Sequence, residues 1–220
     1  RRHTRSLCDW SSDVCSSDLY YTFAATLRYL LEAVAGTQTR VIVLDRPNPI
    51  GGLQVEGGLV NPGYESFVGA MPIAVRHGMT MGELALFMTT HLKIDADLEV
   101  IPCSGWQRQQ RQQELSIPWV LPSPNMPSPE TALIYPGMCL IEGTTLSEGR
   151  GTTLPFHLVG APGLDGQDFA EVATRLAREV ELQGVAFRPA SFIPQIQKHQ
   201  GEDRKSTRLN SSHTVISYAV

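Results

Sequence analysis

The sequence predicts an α/β protein whose first part is a doubly wound unit with a parallel sheet. A helical pattern comes first, and a short, continuously apolar run, Val41–Leu44, follows it. Such runs are typical of strands buried on both faces of a parallel sheet. A capping-box pattern at Thr80–Glu83 then predicts a second helix, to about His91, and Leu98–Ile101 reads as a further strand. Helix and strand therefore alternate, as in βαβ units.

The first predicted helix ends at Gly36, a C-cap candidate, and its apolar positions have helical spacing. They are Phe23, Leu27, Leu30, Leu31 and Val34. The loop after the first strand, Arg46–Gly52, carries two prolines that stiffen the backbone, so we expect Arg46 and Asn48 to be held outward. Gly51 and Gly52 allow a tight turn. Ligands bind at the carboxyl ends of such strands in open α/β sheets.

The stretch between Trp106 and Pro129 is rich in Gln and Pro and predicts a long connection or domain boundary. We assign residues 20–127 to a first domain and 128–202 to part of a second. Ser128 and Pro129 fit the N-cap and first turn of a short helix. A last amphipathic helix and two strands, Val185–Phe187 and Phe192–Ile193, are predicted downstream. That helix is marked by Phe169, Val172, Ala173, Leu176 and Val180.

The two ends of the chain are predicted to be translated sequencing adapter. Codons can be assigned to Asp9–Leu19 and Asp203–His213 so that the two DNA strings are reverse complements. Selection on a folded protein does not produce that relation. Residues 1–19 and 203–220 are therefore left out of the fold prediction. The rest begins inside a helical pattern and is expected to be truncated at both ends.

Composition narrows the function classes. Six of the 18 Lys and Arg and four of the 22 Asp and Glu lie in the two ends, which leaves residues 20–202 with a net charge of −6. Nucleic acid is not an expected partner, because phosphate binding needs a clustered basic face. No apolar run approaches the length of a membrane span. Cys103 and Cys139 lack metal-site spacing and are expected to be buried thiols rather than a pair.

Most of the polar residues that lie beside glycines and prolines fall in two loops, whose backbone conformation those glycines and prolines determine. The first contributes Asp45, Arg46, Asn48 and Glu56, and the second contributes Glu142, Glu148 and Arg150. Such groups suit sugar recognition, and glycoside cleavage generally needs two carboxyl groups. Structural alternatives stay open. Asp45 and Arg46 could cap a helix or pair with each other, Glu148 and Arg150 could form a surface ion pair of little energy, and His77 is expected to be a structural hydrogen-bonding residue.

Several motifs occur together in one order and carry a family resemblance over residues 20–194. They include Val43–Pro49 (VLDRPNP), Arg76–Thr80 (RHGMT), Leu121–Pro127 (LPSPNMP), Tyr135–Gly137 (YPG), Glu142–Thr144 (EGT) and Ser147–Thr152 (SEGRGT). With them the chain resembles the NamZ-type exo-β-N-acetylmuramidases, formerly filed as a domain of unknown function. It departs from the family pattern at Gly58, Thr145, His157 and Gly163.

The resemblance implies a fragment of a Rossmann-like domain followed by part of a smaller α/β domain, with the site in the cleft between them. It implies a peptidoglycan hexosaminidase that releases terminal N-acetylmuramic acid from muramyl saccharides, works in the periplasm or outside the cell, and needs no metal or organic cofactor. A guanidinium group is the usual partner of a carboxylate such as the sugar's lactyl group. Arg46 and Arg150 are the candidates, and we expect their loops to share a pocket.

The resemblance also ranks the carboxylates. The family's best catalytic candidate, a Glu in a Pro-Glu-His-Gly motif, lies upstream of residue 20, so Glu142 and Glu148 are expected to be auxiliary and the fragment inactive by itself. Asp45, Asn48 and Glu56 are expected to bind substrate or support the site. A non-catalytic cell-wall-binding module is the alternative. A nucleotide-binding domain is disfavoured, because no glycine-rich phosphate loop follows Val41–Leu44.

Overall fold

The computed structural model describes residues 22–182, 185–200 and 213–218. Its helices are α1 (Thr22–Val34), α2 (Met81–His91), α3 (Pro129–Met138) and α4 (Gly166–Glu179), and its strands are β1 (Arg40–Leu44), β2 (Asp97–Ile101), β3 (Leu158–Val159), β4 (Val185–Ala190) and β5 (His213–Tyr218). The predicted α/β class is confirmed. Two compact units divide the chain: residues up to 124 with Ser128–Pro136 form unit 1, and residues 125–127 with those from 137 onward form unit 2.

Unit 1 is built on two parallel strands. β1 pairs with β2 from Arg40 opposite Asp97 to Leu44 opposite Ile101. The connection between them contains α2, which packs against both strands, and α1 packs against α2. The buried core is apolar and consists of Ala24, Leu31, Met71, Met81, Leu84, Ala85 and Met88. Parallel pairing puts the carboxyl ends of both strands, and the loops that follow them, at one edge of the sheet.

β1 is not buried on both faces, and the prediction is wrong on this point. Val41 and Val43 pack against the core. Ile42 and Leu44 point the other way and are 57% and 60% exposed. Successive side chains of a strand face opposite sides of the sheet, and in the described part of the chain helices cover one side. A fully apolar run therefore has one covered face and one open face.

The predicted helix starts and stops are confirmed. Thr80 caps α2, its hydroxyl accepting from Glu83 N, while the Glu83 carboxylate accepts from Thr80 N. Ser128 Oγ accepts from Thr131 N in the first turn of α3. Gly36 follows α1 with φ +69°, and its N–H donates to Asp95 O at 2.9 Å. These local signals are set by backbone geometry, which explains why the sequence alone predicted them.

Unit 2 has a three-stranded antiparallel sheet in the order β3-β5-β4, and α4 packs against β4 and β5. The strand predicted at Val185–Phe187 is confirmed, whereas the one at Phe192–Ile193 is absent from the described residues. Pro194 follows directly and has no N–H to donate to a ladder. β5 lies within the stretch assigned to adapter. Backbone pairing does not test the origin of the codons, so that assignment stays a prediction.

Candidate functional site

Asp45 lies at the carboxyl end of β1 and holds the start of α2. One carboxylate oxygen accepts from Thr80 Oγ at 2.8 Å. The other accepts from Gly82 N at 2.8 Å and from Arg46 N at 2.9 Å. A carboxylate at a helix N-terminus satisfies free N–H groups and is favoured by the helix dipole. The geometry thus favours the structural alternative for Asp45, as a cap, and its substrate role stays a prediction.

Asn48 points inward, contrary to the prediction. It is 1% exposed, its amide donates to Met79 O at 3.0 Å, and its side-chain oxygen accepts from Ile50 N at 3.1 Å. The flanking prolines fix their own φ angles but do not set the rotamer of Asn48. The tight turn is confirmed: Gly51 has φ +83°, and its N–H donates to Asn48 O. The buried side chain of Asn48 therefore stabilises the loop through its bonds to backbone groups.

Glu56 forms an antiparallel bridge with Arg76. Their side chains pair as well, with Arg76 Nη1 2.8 Å from Glu56 Oε2, and the arginine is far more buried than the glutamate. Arg76 Nη2 donates to Ile50 O at 2.9 Å, and Arg76 Nε is buried without a hydrogen-bond partner among the described residues. Sequence reasoning placed Arg76 only in a family motif and missed this role.

An open cavity of about 170 Å³ lies between the loops that follow β1 and β2. Its lining combines three arginines with two amides, two apolar side chains and a glycine: Arg76, Arg108, Arg111, Gln54, Gln109, Ile50, Leu53 and Gly51. We name it the arginine pocket. Arg46, half-buried in the first loop, is not part of this lining. No sequence pattern points to Arg108 and Arg111, which lie in the Gln-rich stretch predicted to be a long connection or domain boundary.

The second predicted loop forms a buried ion-pair cluster in unit 2. The Glu148 side chain is 4% exposed and lies between two cations, with Oε1 3.5 Å from Arg150 Nε and Oε2 3.2 Å from Lys198 Nζ. The alternative of a surface ion pair is therefore wrong for Glu148. Removing one partner from a buried pair leaves an uncompensated charge, which is strongly destabilising.

Arg150 is the shared member of this cluster. Its Nη2 donates to Glu142 Oε1 at 2.5 Å, and its guanidinium carbon lies 5.3 Å from the centre of the Phe156 ring. The structure thus brings Glu142, Glu148 and Arg150 together, as the sequence suggested. Because the guanidinium already serves two carboxylates and an aromatic face, a substrate carboxylate at Arg150 would compete with Glu142 and Glu148.

Lys198 is the member of the cluster that sequence reasoning missed. Besides Glu148, its ammonium group donates to the carbonyl oxygens of Ile141, Glu142 and Leu146 at 3.2, 2.9 and 3.0 Å. It ties the segment that follows β4 to the loop that starts near residue 141. Its sequence separation of 50 residues or more from these partners leaves no local pattern to find.

The glycines of the second loop serve the fold rather than the close approach of a ligand. A Cβ on Gly149 would lie 2.9 Å from Leu158 Cβ, and one on Gly151 would lie 2.6 Å from Ile196 N. Both glycines also have positive φ. Protein atoms fill the space beside both glycines, so at these two positions the missing Cβ allows close packing within the protein.

Cys103 and Cys139, the thiols of the described residues, form no disulfide with each other; Cys139 is buried as expected, whereas Cys103 is only half-buried. Burial, together with the charge of Glu142, raises the pKa of Cys139 to about 12. Burial also raises the pKa of the less enclosed Cys103, with a smaller contribution from Asp45. His77 is buried, and its Nδ1 accepts from Met79 N at 2.9 Å, in line with a structural role. The part of the chain that the structure describes has no group of three or more His, Cys, Asp or Glu placed to hold a metal ion.

The fold and these groups define an α/β protein with a cationic cavity at the carboxyl edge of a parallel strand pair and a separate, buried carboxylate–cation cluster in its second unit. None of the described helices is long and apolar enough to cross a bilayer. That the loops around Arg46 and Arg150 share a pocket stays a prediction.

The family is shown by comparison with known proteins. Residues 18–130 match the model for the N-terminal part of the exo-beta-N-acetylmuramidase NamZ, and residues 133–218 match the model for its C-terminal part. The chain belongs to the NamZ exo-β-N-acetylmuramidase family.

Relatives agree with this assignment. The chain is 47% identical over 182 residues to the peptidoglycan beta-N-acetylmuramidase NamZ of Bacillus subtilis strain 168, an alignment that covers 83% of this chain and 43% of the relative. The chain therefore spans less than half the length of that enzyme. Two crystal structures of DUF1343 family proteins from Bacteroides fragilis NCTC 9343 are also similar. The first has a TM-score of 0.79 at 30% identity, and the match covers 93% of this chain and 51% of that protein. The second has a TM-score of 0.65 at 31% identity, and the match covers 91% of this chain and 49% of that protein.

Proposed function

We propose that this chain is part of a glycoside hydrolase of peptidoglycan that removes terminal β-N-acetylmuramic acid from muramyl saccharides in an exo-acting reaction. The observation that carries the proposal is that one chain matches both the N-terminal and the C-terminal model of the family and is 47% identical to a peptidoglycan β-N-acetylmuramidase. We also place its action in the periplasm or outside the cell, where the polymer is found. The proposed partner is the saccharide.

The proposed roles follow from the contacts in each unit. Glu142 and Glu148 are auxiliary carboxylates, and Glu148 acts as a positioning residue that holds Arg150 through their ion pair. Glu148 is held by two cations, and Glu142 by one. A carboxyl group that donates a proton to a leaving oxygen must be able to reach that oxygen. Because Glu142 and Glu148 are already engaged by cations, an auxiliary role is proposed for both.

We further propose that the proton donor is another carboxyl group, and that the 220-residue chain alone does not turn over substrate. Asp45 and Asn48 are proposed as supports of the first loop, because their side chains are bonded to backbone groups and, for Asp45, to the Thr80 hydroxyl. Arg46, Glu56 and Arg150 are kept as substrate-binding candidates.

The test is a chimera in which the matching segment of the Bacillus subtilis enzyme is replaced by the corresponding segment of this chain. We expect the chimera to release the chromophore from a para-nitrophenyl β-N-acetylmuramide and to leave the N-acetylglucosamine analogue intact. The relative itself is the positive control. A folded chimera with no release would overturn the proposed function.

A non-catalytic cell-wall-binding module is the second candidate, favoured by the ion pairing of both second-loop carboxylates. It predicts that the 220-residue chain binds muramyl saccharides and that the chimera is folded but inactive. The chimera assay therefore separates the two candidates, since the hydrolase proposal requires turnover there.

A further inference from the structure

The arginine pocket gathers three guanidinium groups around one cavity whose lining has no carboxylate among the described residues. Arg76 has one acidic partner, Glu56, and Arg108 has one, Glu83. The Arg111 guanidinium forms no hydrogen bond or ion pair with the described residues. Its backbone is bonded to Glu114, with the N–H donating to the carboxylate and the carbonyl oxygen accepting from Glu114 N.

The position of the pocket fits ligand binding. It lies between the loops that leave the carboxyl ends of β1 and β2, the edge at which open α/β sheets bind their ligands. Arg108 fixes the two loops to each other: its backbone oxygen accepts from Gly52 N at 2.7 Å, and its Nη1 donates to Gly78 O at 3.1 Å. The Arg111 stem lies against the first loop, with Cγ 3.9 Å from the point where a Cβ on Gly51 would be.

The size of the arginine pocket and the chemistry of its lining fit a small oxyanion that also has an apolar group. A cavity of about 170 Å³ is below the ~300–1,000 Å³ of pockets that enclose whole drug-sized ligands, so one substituent fits rather than a sugar ring with its neighbours. The guanidinium fork matches a carboxylate in a bidentate manner. Arg76 Nε is a buried donor that has no partner among the described residues, and such donors are nearly always satisfied in folded proteins. Ile50 and Leu53 add an apolar wall.

We propose that the arginine pocket binds the carboxylate of the substrate's lactyl ether, with Arg111 as the main specificity-determining residue and the apolar wall facing the lactyl methyl group. The inference rests on the proposed function for the identity of the sugar. It assigns the recognition of the anionic substituent to Arg76, Arg108 and Arg111, in place of Arg150, whose guanidinium already serves two carboxylates. The chain's formal net charge of −4 repels anions at long range, so a local cationic pocket is required.

The test measures dissociation constants by calorimetry on the 220-residue chain with N-acetylmuramic acid, its lactyl methyl ester and N-acetylglucosamine. We expect the acid to bind more tightly than both neutral sugars. Arg111→Gln should weaken binding of the acid by about tenfold or more, as expected for loss of a charge-assisted hydrogen bond, and leave the neutral sugars unchanged. Arg111→Lys should retain part of the preference.

The matched control is Arg40→Gln. Arg40 lies in the same unit at the amino end of β1, where it is exposed and paired with Asp97 and Glu99. Its replacement should leave the affinity for the acid and for both neutral sugars unchanged. If Arg111→Gln keeps the full preference for the acid, the inference is overturned while the hydrolase proposal stands. If inorganic phosphate binds at Arg111 but the acid has no advantage over its ester, the lactyl assignment is overturned. If no sugar binds the wild-type chain, its proposed saccharide role fails as well.

Discussion

The second loop of unit 2 and the arginine pocket of unit 1 use the same side chain for different purposes. In unit 2, Arg150 is surrounded by its partners: Glu142, Glu148 and the face of Phe156. In unit 1, Arg111 lies beside a cavity and its guanidinium has no acidic partner in the part of the chain that the structure describes. One arginine holds the fold of its loop, and the other has charge available for a ligand.

The comparison shows why a glycine-flanked arginine is a weak guide to a binding site. Arg150 stands in Ser147–Thr152, a stretch that looks shaped for a ligand, yet its neighbouring glycines accommodate Leu158 and Ile196. Arg111 stands in a plain run of glutamines and arginines. The carboxylates and the cavity that surround each guanidinium decide its role, and long-range folding sets both.

Glu148→Gln should have the largest effect and tests the structural half of the comparison. Neutralising the buried carboxylate leaves Lys198 without a carboxylate partner and Arg150 with Glu142 alone, so we expect a loss of about 3 kcal/mol in the free energy of unfolding. Urea titration by circular dichroism measures it. Hydrogen exchange at Ser147 and Gly160, whose N–H groups bond each other's carbonyls, reports the loop locally.

Two substitutions serve as controls for that prediction. Glu179→Gln removes an exposed partner of Arg175, 3.8 Å away on α4, and should cost less than about 0.5 kcal/mol. Arg111→Gln should also leave stability nearly unchanged. An Arg111 variant as unstable as the Glu148 variant would contradict the division of roles between the two regions.

Asp45→Ala should have an intermediate effect and tests whether the first loop holds its own structural carboxylate. The variant removes the acceptor for Thr80 Oγ and Gly82 N, and we expect a loss of about 2 kcal/mol with faster hydrogen exchange in the first turn of α2. Sugar affinity of the folded variant should be unchanged. A loss of affinity at wild-type stability would instead make Asp45 a binding residue, and Asp97→Ala is the surface control.

The smallest effect concerns one thiol in each unit. In a background with Cys8 and Cys15 replaced by serine, Cys103 should react with a disulfide reagent first, and Cys139 should react only slowly near pH 8, because burial raises its pKa to about 12. Because the pKa of Cys139 in the folded protein lies above the ordinary thiol value of 9.0, the stability contributed by the neutral thiol is complete below about pH 9 and is lost as the pH rises toward 12. Urea midpoints across that range measure it.

A Cys139→Ala variant is the reference for that pH series. Its unfolding midpoint should depend less steeply on pH between about 9 and 12 than that of the parent. Equal labelling rates for the two thiols at pH 8 would show that Cys139 is accessible in solution and would remove this contrast between the units.

Sequence reasoning succeeded where a short stretch of chain determines its own geometry. The capping box at Thr80, the turn at Gly51 and the start of α3 at Ser128 each depend on groups within four residues. The α/β class followed from the alternation of such elements. The joint placement of Glu142, Glu148 and Arg150 was also predicted, since the three lie within nine residues of chain.

The failures concern side-chain direction and distant partners. Two prolines restrict the backbone around Asn48, yet Met79, far along the chain, draws its amide inward. Lys198 reaches Glu148 across 50 residues, and the arginine pocket assembles from three separate stretches. The open face of β1 could not be read from Val41–Leu44 either, because an apolar run has the same appearance whether one or both of its faces are covered.

The walls of the arginine pocket are joined through main-chain atoms at Gly51, Gly52 and Gly78, where an added Cβ would lie 3.0–3.2 Å from a carbonyl oxygen. Residues such as Arg111, Gln109 and Gln54 project from that frame without holding it together through their side chains. These three positions can therefore change during evolution without loss of the main-chain frame. Homologues that keep the three glycines but exchange residue 111 should retain the architecture while turning to differently charged sugars.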